Sequence, residues 1–139
     1  LYAHRSVFDR VVEGVAEIGR QITLGHGLDP ATQMGPLISR EHAAKVADYV
    51  DAGRTGGASV LCGGATLGPD ASFVEPTVVT GVSPDMRIVR EEIFGPVVVA
   101  SPFDDLDEVI AAANDSEYGL AAGVWTSSLS TATRITRRL

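Results

Sequence analysis

The regular alternation of helix-type and strand-type patterns constrains the fold of this chain most. Apolar residues recur on one helical face over Phe8–Ile22 and again over Ala43–Val50, and this spacing predicts amphipathic helices. The stretches 73–80 and 96–100 have the composition of strands, and the uninterrupted Val97–Val99 run indicates burial on both faces. Helices that alternate with buried strands predict a three-layer α/β domain with a mostly parallel sheet.

Capping residues and glycines predict where these elements begin and end. A side-chain oxygen just before an apolar helical pattern satisfies free N–H groups of the first turn, and four residues are predicted to do so: Ser6, Ser39, Asp105 and Ser128. Gly53 and the Gly56-Gly57 pair are predicted to end the second helix,. Two further strands are predicted over Ser59–Cys62 and Ala121–Thr126.

Charge and hydropathy exclude several classes of partner. The chain of 139 residues has a formal net charge of −7, and its 11 Lys and Arg residues are scattered along the sequence. Nucleic acid is therefore not an expected partner, because it requires clustered basic side chains. No apolar run reaches the roughly 18 residues of a membrane span, and no signal peptide pattern is present. A cytoplasmic location is expected.

The residues that most often bind metals do not form a metal site in this sequence. His4, His26 and His42 are far apart, without the spacing of zinc ligands, so no metal is expected. The single cysteine, Cys62, lies in a short predicted strand that leads into a Gly-Gly turn. This context favours a small, buried and unreactive thiol, and a reducing compartment.

Five short segments resemble those of a known family. Arg90–Val97 reads REEIFGPV and resembles the E-E-x-F-G-P signature of the aldehyde dehydrogenase superfamily. The other four, in chain order, are Met34–Ile38 (MGPLI), Val60–Gly64 (VLCGG), Glu75–Val78 (EPTV) and Asn114–Ala122 (NDSEYGLAA). They occur in the family's order and span nearly the whole chain. The sequence is therefore identified as resembling an internal piece of the catalytic domain of an NAD(P)-dependent aldehyde dehydrogenase.

The resemblance implies a mechanism and two cofactor-binding residues. In this family a cysteine thiolate attacks the aldehyde, hydride passes to the nicotinamide, and a glutamate base activates the water that hydrolyses the thioester. Glu92 matches the glutamate that binds the nicotinamide ribose, where a carboxylate can accept hydrogen bonds from both hydroxyls. Phe94 matches the aromatic residue beside the nicotinamide ring, and Gly95-Pro96 the turn that aims both side chains. The alternative is that Glu91 and Glu92 form a solvated acidic pair while Phe94 belongs to the core.

The same resemblance implies that much of the active site lies outside this chain. Residues 1–139 are expected to be a partial catalytic domain, without the cofactor-binding domain, the nucleophile loop or the C-terminal arm. The nucleophilic cysteine is expected just upstream of Leu1, so no catalytic residue is assigned here. The chain opens without Met, and a helical pattern still runs at Leu139, as an internal piece would. Alone, it is expected to be inactive.

The parent protein is expected to use NAD or NADP, to oxidise an aldehyde and to form a homodimer or homotetramer. The segments that select the aldehyde and the cofactor's adenosine end lie outside this one in the family. Two other interpretations remain open. One is a non-catalytic structural or interaction relative or fragment, and the other is an acyl-phosphate or acyl-thioester reductase of the same superfamily.

Overall fold

The computed structural model describes residues 1–68 and 71–139, and the α/β class predicted from the sequence is confirmed. Its elements, in chain order, are β1 (Tyr2–His4), α1 (Phe8–Gln21), α2 (Arg40–Thr55), β2 (Ser59–Cys62), β3 (Thr66–Leu67), β4 (Phe73–Val74), β5 (Thr77–Thr80), α3 (Arg87–Arg90), β6 (Val97–Val99), β7 (Ser101–Phe103), α4 (Leu106–Asn114) and α5 (Leu129–Thr136). They fall into two compact units. The first comprises Leu1 and residues 3–102, and the second comprises Tyr2 and residues 103–139.

The central sheet of the first unit contains three strands in the order β2-β5-β6. β5 and β6 are parallel, and the connection between them, residues 81–96, is long enough for the crossover that parallel pairing requires. β2 and β5 are antiparallel, because the chain returns between them through the β3–β4 ribbon, itself antiparallel. The predicted parallel pairing is found at β5–β6, and the antiparallel β2 differs from the prediction.

Helices cover both faces of this sheet, so the predicted three-layer arrangement is present. Successive residues of a strand point to opposite faces, and β5 shows this at two neighbouring valines. Val78 packs with Ala16 of α1, whereas Val79 packs with Tyr49 of α2 on the other face. Every residue of β5 is buried, as expected for the central strand of the sheet.

β6 is less buried than the sequence indicated. All three of its residues, Val97–Val99, are half-buried, whereas burial on both faces was predicted. The difference agrees with the sheet order, because β6 lies at the edge of the three-stranded sheet, with β5 as its one neighbouring strand in that sheet among the described residues.

Both ends of α2 are formed by predicted residues, Ser39 and the Gly56-Gly57 pair, but the end predicted at Gly53 is wrong, because the helix continues to Thr55. The Ser39 side chain accepts a hydrogen bond from the His42 backbone N–H at 3.1 Å. At the other end Gly57 has a φ of +96°, the left-handed conformation that glycine adopts without steric cost. The Gly57 N–H donates to the carbonyl oxygen of Arg54 at 3.0 Å, and the Ala58 N–H donates to the carbonyl oxygen of Gly53 at 2.9 Å. These two bonds define a Schellman motif.

The cap predicted for α1 is wrong. Val7 occupies the cap position of α1 and provides no side-chain hydrogen bond. The Ser6 hydroxyl lies 2.8 Å from Nδ1 of His4 instead. The Ser6 hydroxyl thus bonds a histidine nitrogen two residues away, and does not bond the helix N-terminus as the sequence pattern predicted.

In the second unit, α4 and α5 begin at their predicted caps, Asp105 and Ser128. Arg134 and Arg138 of its C-terminal part both form ion pairs with Asp107. The predicted strand over Ala121–Thr126 is wrong, since this segment has no regular structure and is mostly exposed. A short strand needs a hydrogen-bonded neighbour, and the described residues supply none for it. Over the described part of the chain, no helix is long and apolar enough to cross a membrane.

Candidate functional site

The site predicted from the sequence lies on the turn that joins α3 to β6. α3 ends at Arg90, and at the capping residue Glu91 the backbone becomes extended, with φ of −113° and ψ of 152°. β6 begins at Val97. Glu92 and Phe94 therefore lie on one short connection at the edge of the sheet, and we refer to residues 91–95 as the 91–95 turn.

Glu91 anchors this turn to α2. Its carboxylate accepts hydrogen bonds from the Tyr49 hydroxyl at 2.6 Å and from Nε of Arg87 at 3.3 Å. Arg87 also donates to Asp48 at 2.7 Å, and its guanidinium carbon lies 4.0 Å from the centre of the Tyr49 ring. That distance fits a cation–π contact. Glu91 is thus bonded to the protein and is not one half of a solvated acidic pair.

The hydrogen bonds of this network shift the pKa values of Glu91 and Tyr49 in opposite directions. The hydrogen bond from Tyr49, followed by that from Arg87, lowers the pKa of the Glu91 carboxyl. The same bond to Glu91 is the largest cause that raises the pKa of Tyr49. Both shifts favour an ionised Glu91 held by a neutral Tyr49.

Phe94 adopts a backbone conformation that is unusual for its residue type. Its φ is +54°, in the left-handed region that residues with a Cβ rarely occupy. The Phe94 carbonyl oxygen lies 2.6 Å from Nε2 of His42 on α2, so the ring N–H donates to it. The Phe94 side chain is 74% exposed, and the alternative that it belongs to the core is therefore wrong for this chain.

Gly95 brings the turn into direct contact with α2. A Cβ placed on Gly95 would lie 2.7 and 2.8 Å from the two methyl groups of Val46, which is too close for any other residue without a shift. Val46 itself is fully buried. The glycine is needed here for close approach of the backbone to the helix.

Glu92 differs from its neighbour in both exposure and bonding. It is exposed, and no described residue forms a hydrogen bond or an ion pair with its carboxylate. The turn thus presents one free carboxylate and one exposed aromatic ring, while Glu91 and Gly95 face α2. A pair of vicinal hydroxyls next to an apolar ring is a ligand that these two side chains can bind.

Sequence reasoning missed the residues that hold the turn. His42, Val46 and Tyr49 are spaced i, i+4 and i+7, and so lie on one face of α2. The apolar pattern predicted over Ala43–Val50 includes Val46, and Tyr49 lies within that range but was not assigned to the inward face. His42 and Phe94 are 52 positions apart in the sequence, and only the fold brings them together.

Cys62 lies where the sequence predicted it, in β2 and in the core. It packs with Ala16 and Val78, and its Sγ lies 3.5 Å from the Pro76 carbonyl oxygen. This burial agrees with a packing role. Within residues 1–68 and 71–139, no three His, Cys, Asp or Glu side chains come together as metal ligands would.

Comparisons with known proteins place this geometry in a family. Residues 1–139 match the sequence profile of the Aldehyde dehydrogenase family. The betaine aldehyde dehydrogenase of Brucella anthropi is 47% identical over 139 residues, which cover 97% of this chain and 28% of that protein. The protein of the same name from Mesorhizobium japonicum is 48% identical, with coverage of 100% and 29%. The chain therefore spans less than a third of these relatives.

Solved structures agree with the sequence comparison. An NAD+ complex of aldehyde dehydrogenase from Bacillus cereus superimposes with a TM-score of 0.96 at 44% identity, over 99% of this chain and 28% of that one. Betaine aldehyde dehydrogenase from Staphylococcus aureus in complex with NAD+ gives a TM-score of 0.93 at 39% identity, over 99% and 28%. With a profile match over all its residues and this close a structural likeness, the chain belongs to the aldehyde dehydrogenase family.

Proposed function

We propose that the full-length protein is an NAD(P)+-dependent aldehyde dehydrogenase that oxidises aldehydes to carboxylic acids through a cysteine thioester. In this proposal, residues 1–139 are part of its catalytic domain, and Glu92 and Phe94 bind the nicotinamide end of the cofactor. The observation that carries the proposal is the exposure of two side chains on the 91–95 turn. Its Glu92 carboxylate is exposed with no partner among the described residues, and Phe94 beside it is 74% exposed.

The two side chains fit the ribose and the ring of a nicotinamide nucleotide. The cofactor supplies the ring that accepts hydride from the substrate. Glu92 has two oxygens that can each accept a hydrogen bond from a ribose hydroxyl, which orients the sugar and limits where the attached ring can lie. Phe94 offers an apolar surface against which that ring can rest. Both residues therefore orient the cofactor, and neither forms or breaks a covalent bond.

The nucleophile of the reaction is proposed to lie upstream of Leu1, outside this chain. Cys62 does not suit that task, because its thiol is buried between α1 and the sheet, whereas a nucleophile must be accessible to the aldehyde. We therefore expect residues 1–139 alone to be inactive. A cytoplasmic homodimer or homotetramer is the proposed state of the full-length protein.

Production of NADH or NADPH by the full-length protein tests the activity. Betaine aldehyde is the first substrate to try, because the Brucella anthropi and Mesorhizobium japonicum relatives carry its name, and aliphatic and aromatic aldehydes follow. We expect an aldehyde-dependent rise in absorbance at the reduced-nicotinamide band with NAD+ or NADP+. Absence of turnover with every aldehyde and both cofactors would refute the proposal, and would favour a non-catalytic relative.

A further inference from the structure

We infer that His42 and Tyr49 of α2 are positioning residues for the cofactor, because they hold the turn on which Glu92 and Phe94 lie. The inference rests on the function proposed for Glu92. It adds that α2, which offers the cofactor no ligand in this account, determines how well the turn is preorganised to bind the nicotinamide ribose.

Three contacts in register attach the turn to one face of α2. From the N-terminal end of the helix, His42 bonds the Phe94 carbonyl at 2.6 Å, Val46 abuts Gly95, and Tyr49 bonds the Glu91 carboxylate at 2.6 Å. The face is firmly embedded, since Val46 and Tyr49 are 0% and 2% exposed. An embedded helix supplies a rigid support, which a free surface loop lacks.

The two hydrogen bonds flank Glu92 on both sides. Glu91 precedes it by one peptide bond, and the Phe94 carbonyl follows it by two residues. Because the carboxylate of Glu92 has no partner among the described residues, its placement depends on the backbone that these bonds hold. The left-handed φ of Phe94 is disfavoured for a residue with a Cβ, so the turn needs external contacts to keep this conformation.

The network around Tyr49 is also specific in its chemistry. The Tyr49 ring packs in the core with Val79 and Ile88, while its hydroxyl reaches the carboxylate of Glu91. Substituting Tyr49→Phe therefore removes only the hydrogen bond and keeps the apolar ring and its contact with Arg87. This makes Tyr49 suitable for a test in which the core is left intact.

The experiment is a double-mutant cycle in the full-length protein between Tyr49→Phe and Glu92→Gln. The readouts are the dissociation constant of NAD+, the rate of hydride transfer in a single turnover, and the melting temperature. We expect Tyr49→Phe to weaken NAD+ binding or slow hydride transfer by about threefold to tenfold, the effect of one hydrogen bond of ordinary strength, because the lost bond acts on the cofactor only through the turn. In the Glu92→Gln background the same substitution should have little further effect.

The control is Asp51→Asn on the same helix. It removes an exposed ion pair in which the Asp51 carboxylate lies 2.9 Å from the Arg54 guanidinium. It should leave all three readouts as in the unmodified protein. If Tyr49→Phe has no effect, or if its effect is unchanged in the Glu92→Gln background, the inference is overturned while the role of Glu92 stands. If Glu92→Gln itself changes neither binding nor hydride transfer, the proposed role of Glu92 fails, and the inference with it.

His42 provides a second, independent test. His42→Leu removes the donor to the Phe94 carbonyl, whereas His42→Gln keeps a side-chain N–H that can donate. We expect His42→Leu to weaken NAD+ binding and His42→Gln to restore a large part of it, at similar melting temperatures. Equal loss in both variants, or loss in neither, would contradict a positioning role for this hydrogen bond.

Discussion

At the scale of single residues, the 91–95 turn depends on Gly95, and the sequence predicts only part of the reason. A Gly-Pro pair predicts a turn, and the sequence placed one there. The close approach of Gly95 to Val46 could not be predicted, because Val46 is 49 positions earlier and only the fold brings the two residues together. The left-handed backbone conformation of Phe94 could not be predicted either, since nothing in the neighbouring sequence favours that conformation for a phenylalanine.

The substitution Gly95→Ala tests this close approach. The new methyl group would lie 2.7 Å from Val46, and relieving such overlap in a packed core costs about 1–3 kcal/mol. We expect the free energy of unfolding of the full-length protein to fall by that amount in urea titrations. Combining it with Val46→Ala should cost less than the sum of the two single changes.

Gly14 of α1 is the matched control, because a Cβ there would have nothing within 4 Å. Gly14→Ala should leave stability unchanged or raise it by about 0.5–1 kcal/mol, since alanine favours a helix over glycine. Equal losses for Gly14→Ala and Gly95→Ala would show that the contact with Val46 is not the cause.

The ionisation of Glu91 predicts a dependence of stability on pH. Tyr49 and Arg87 lower its pKa in the folded protein below the ordinary value of 4.5. The stabilisation is therefore present above that ordinary value, and it is lost as the pH falls through the lower folded-state pKa. We expect Glu91→Gln to flatten the loss of stability on acidification below pH 4.5, measured as the midpoint of urea unfolding at each pH.

Glu92→Gln is the control for this pH profile, because it removes a neighbouring carboxylate that no described residue bonds. Its profile should follow that of the unmodified protein. A Glu91→Gln profile as steep as that of the unmodified protein would refute the stabilising role given to the bonds of Glu91.

At the scale of elements, the predicted helix caps include a correct one, Ser39 of α2, and an incorrect one, Ser6 before α1. Ser39 and Ser6 both precede an apolar helical pattern, but of the two only the Ser39 hydroxyl oxygen accepts a hydrogen bond from a helix N–H. We expect Ser39→Ala to lower the free energy of unfolding by about 1 kcal/mol. Ser6→Ala should cost less, because its hydroxyl bonds the exposed His4 side chain and does not cap the helix. Equal costs in urea titrations would contradict this assignment of the caps.

The strands of the central sheet were predictable, although β5 is the one among them that is buried along its whole length. β2, β5 and β6 were found from apolar composition, and the parallel β5–β6 pair from the alternation with helices. The direction of β2 was not predictable, since it depends on the short β3–β4 ribbon. The segment Ala121–Thr126 has strand composition but no partner strand in the described part of the chain. The four-residue α3 is too short to show a helical period.

At the scale of the whole chain, apolar surface is exposed that globular proteins usually cover. Leu120, Trp125 and Leu129 of the second unit are 97%, 90% and 82% exposed, and such patches promote association. We expect the isolated 139-residue chain to self-associate as its concentration rises in sedimentation velocity runs, with the full-length protein as control. A monodisperse monomer with a sharp cooperative melt would contradict this expectation.

The part of the candidate site that could be predicted is the part carried by a contiguous motif. Glu92 and Phe94 came from a resemblance over Arg90–Val97, and the structure gives both the exposure that a binding role needs. His42 and Tyr49 could not be predicted in the same way. Their contacts with the turn span 52 and 42 positions, so no local pattern connects them to it.

The most direct test of the central claim is NAD+ binding and hydride transfer by the Glu92→Gln variant of the full-length protein. The exposed carboxylate of Glu92 is proposed to accept two ribose hydroxyls, and a neutral amide should do so less well. We predict a loss of about tenfold in NAD+ affinity or in the single-turnover rate of hydride transfer, at an unchanged melting temperature. Unchanged affinity and an unchanged rate would contradict the account.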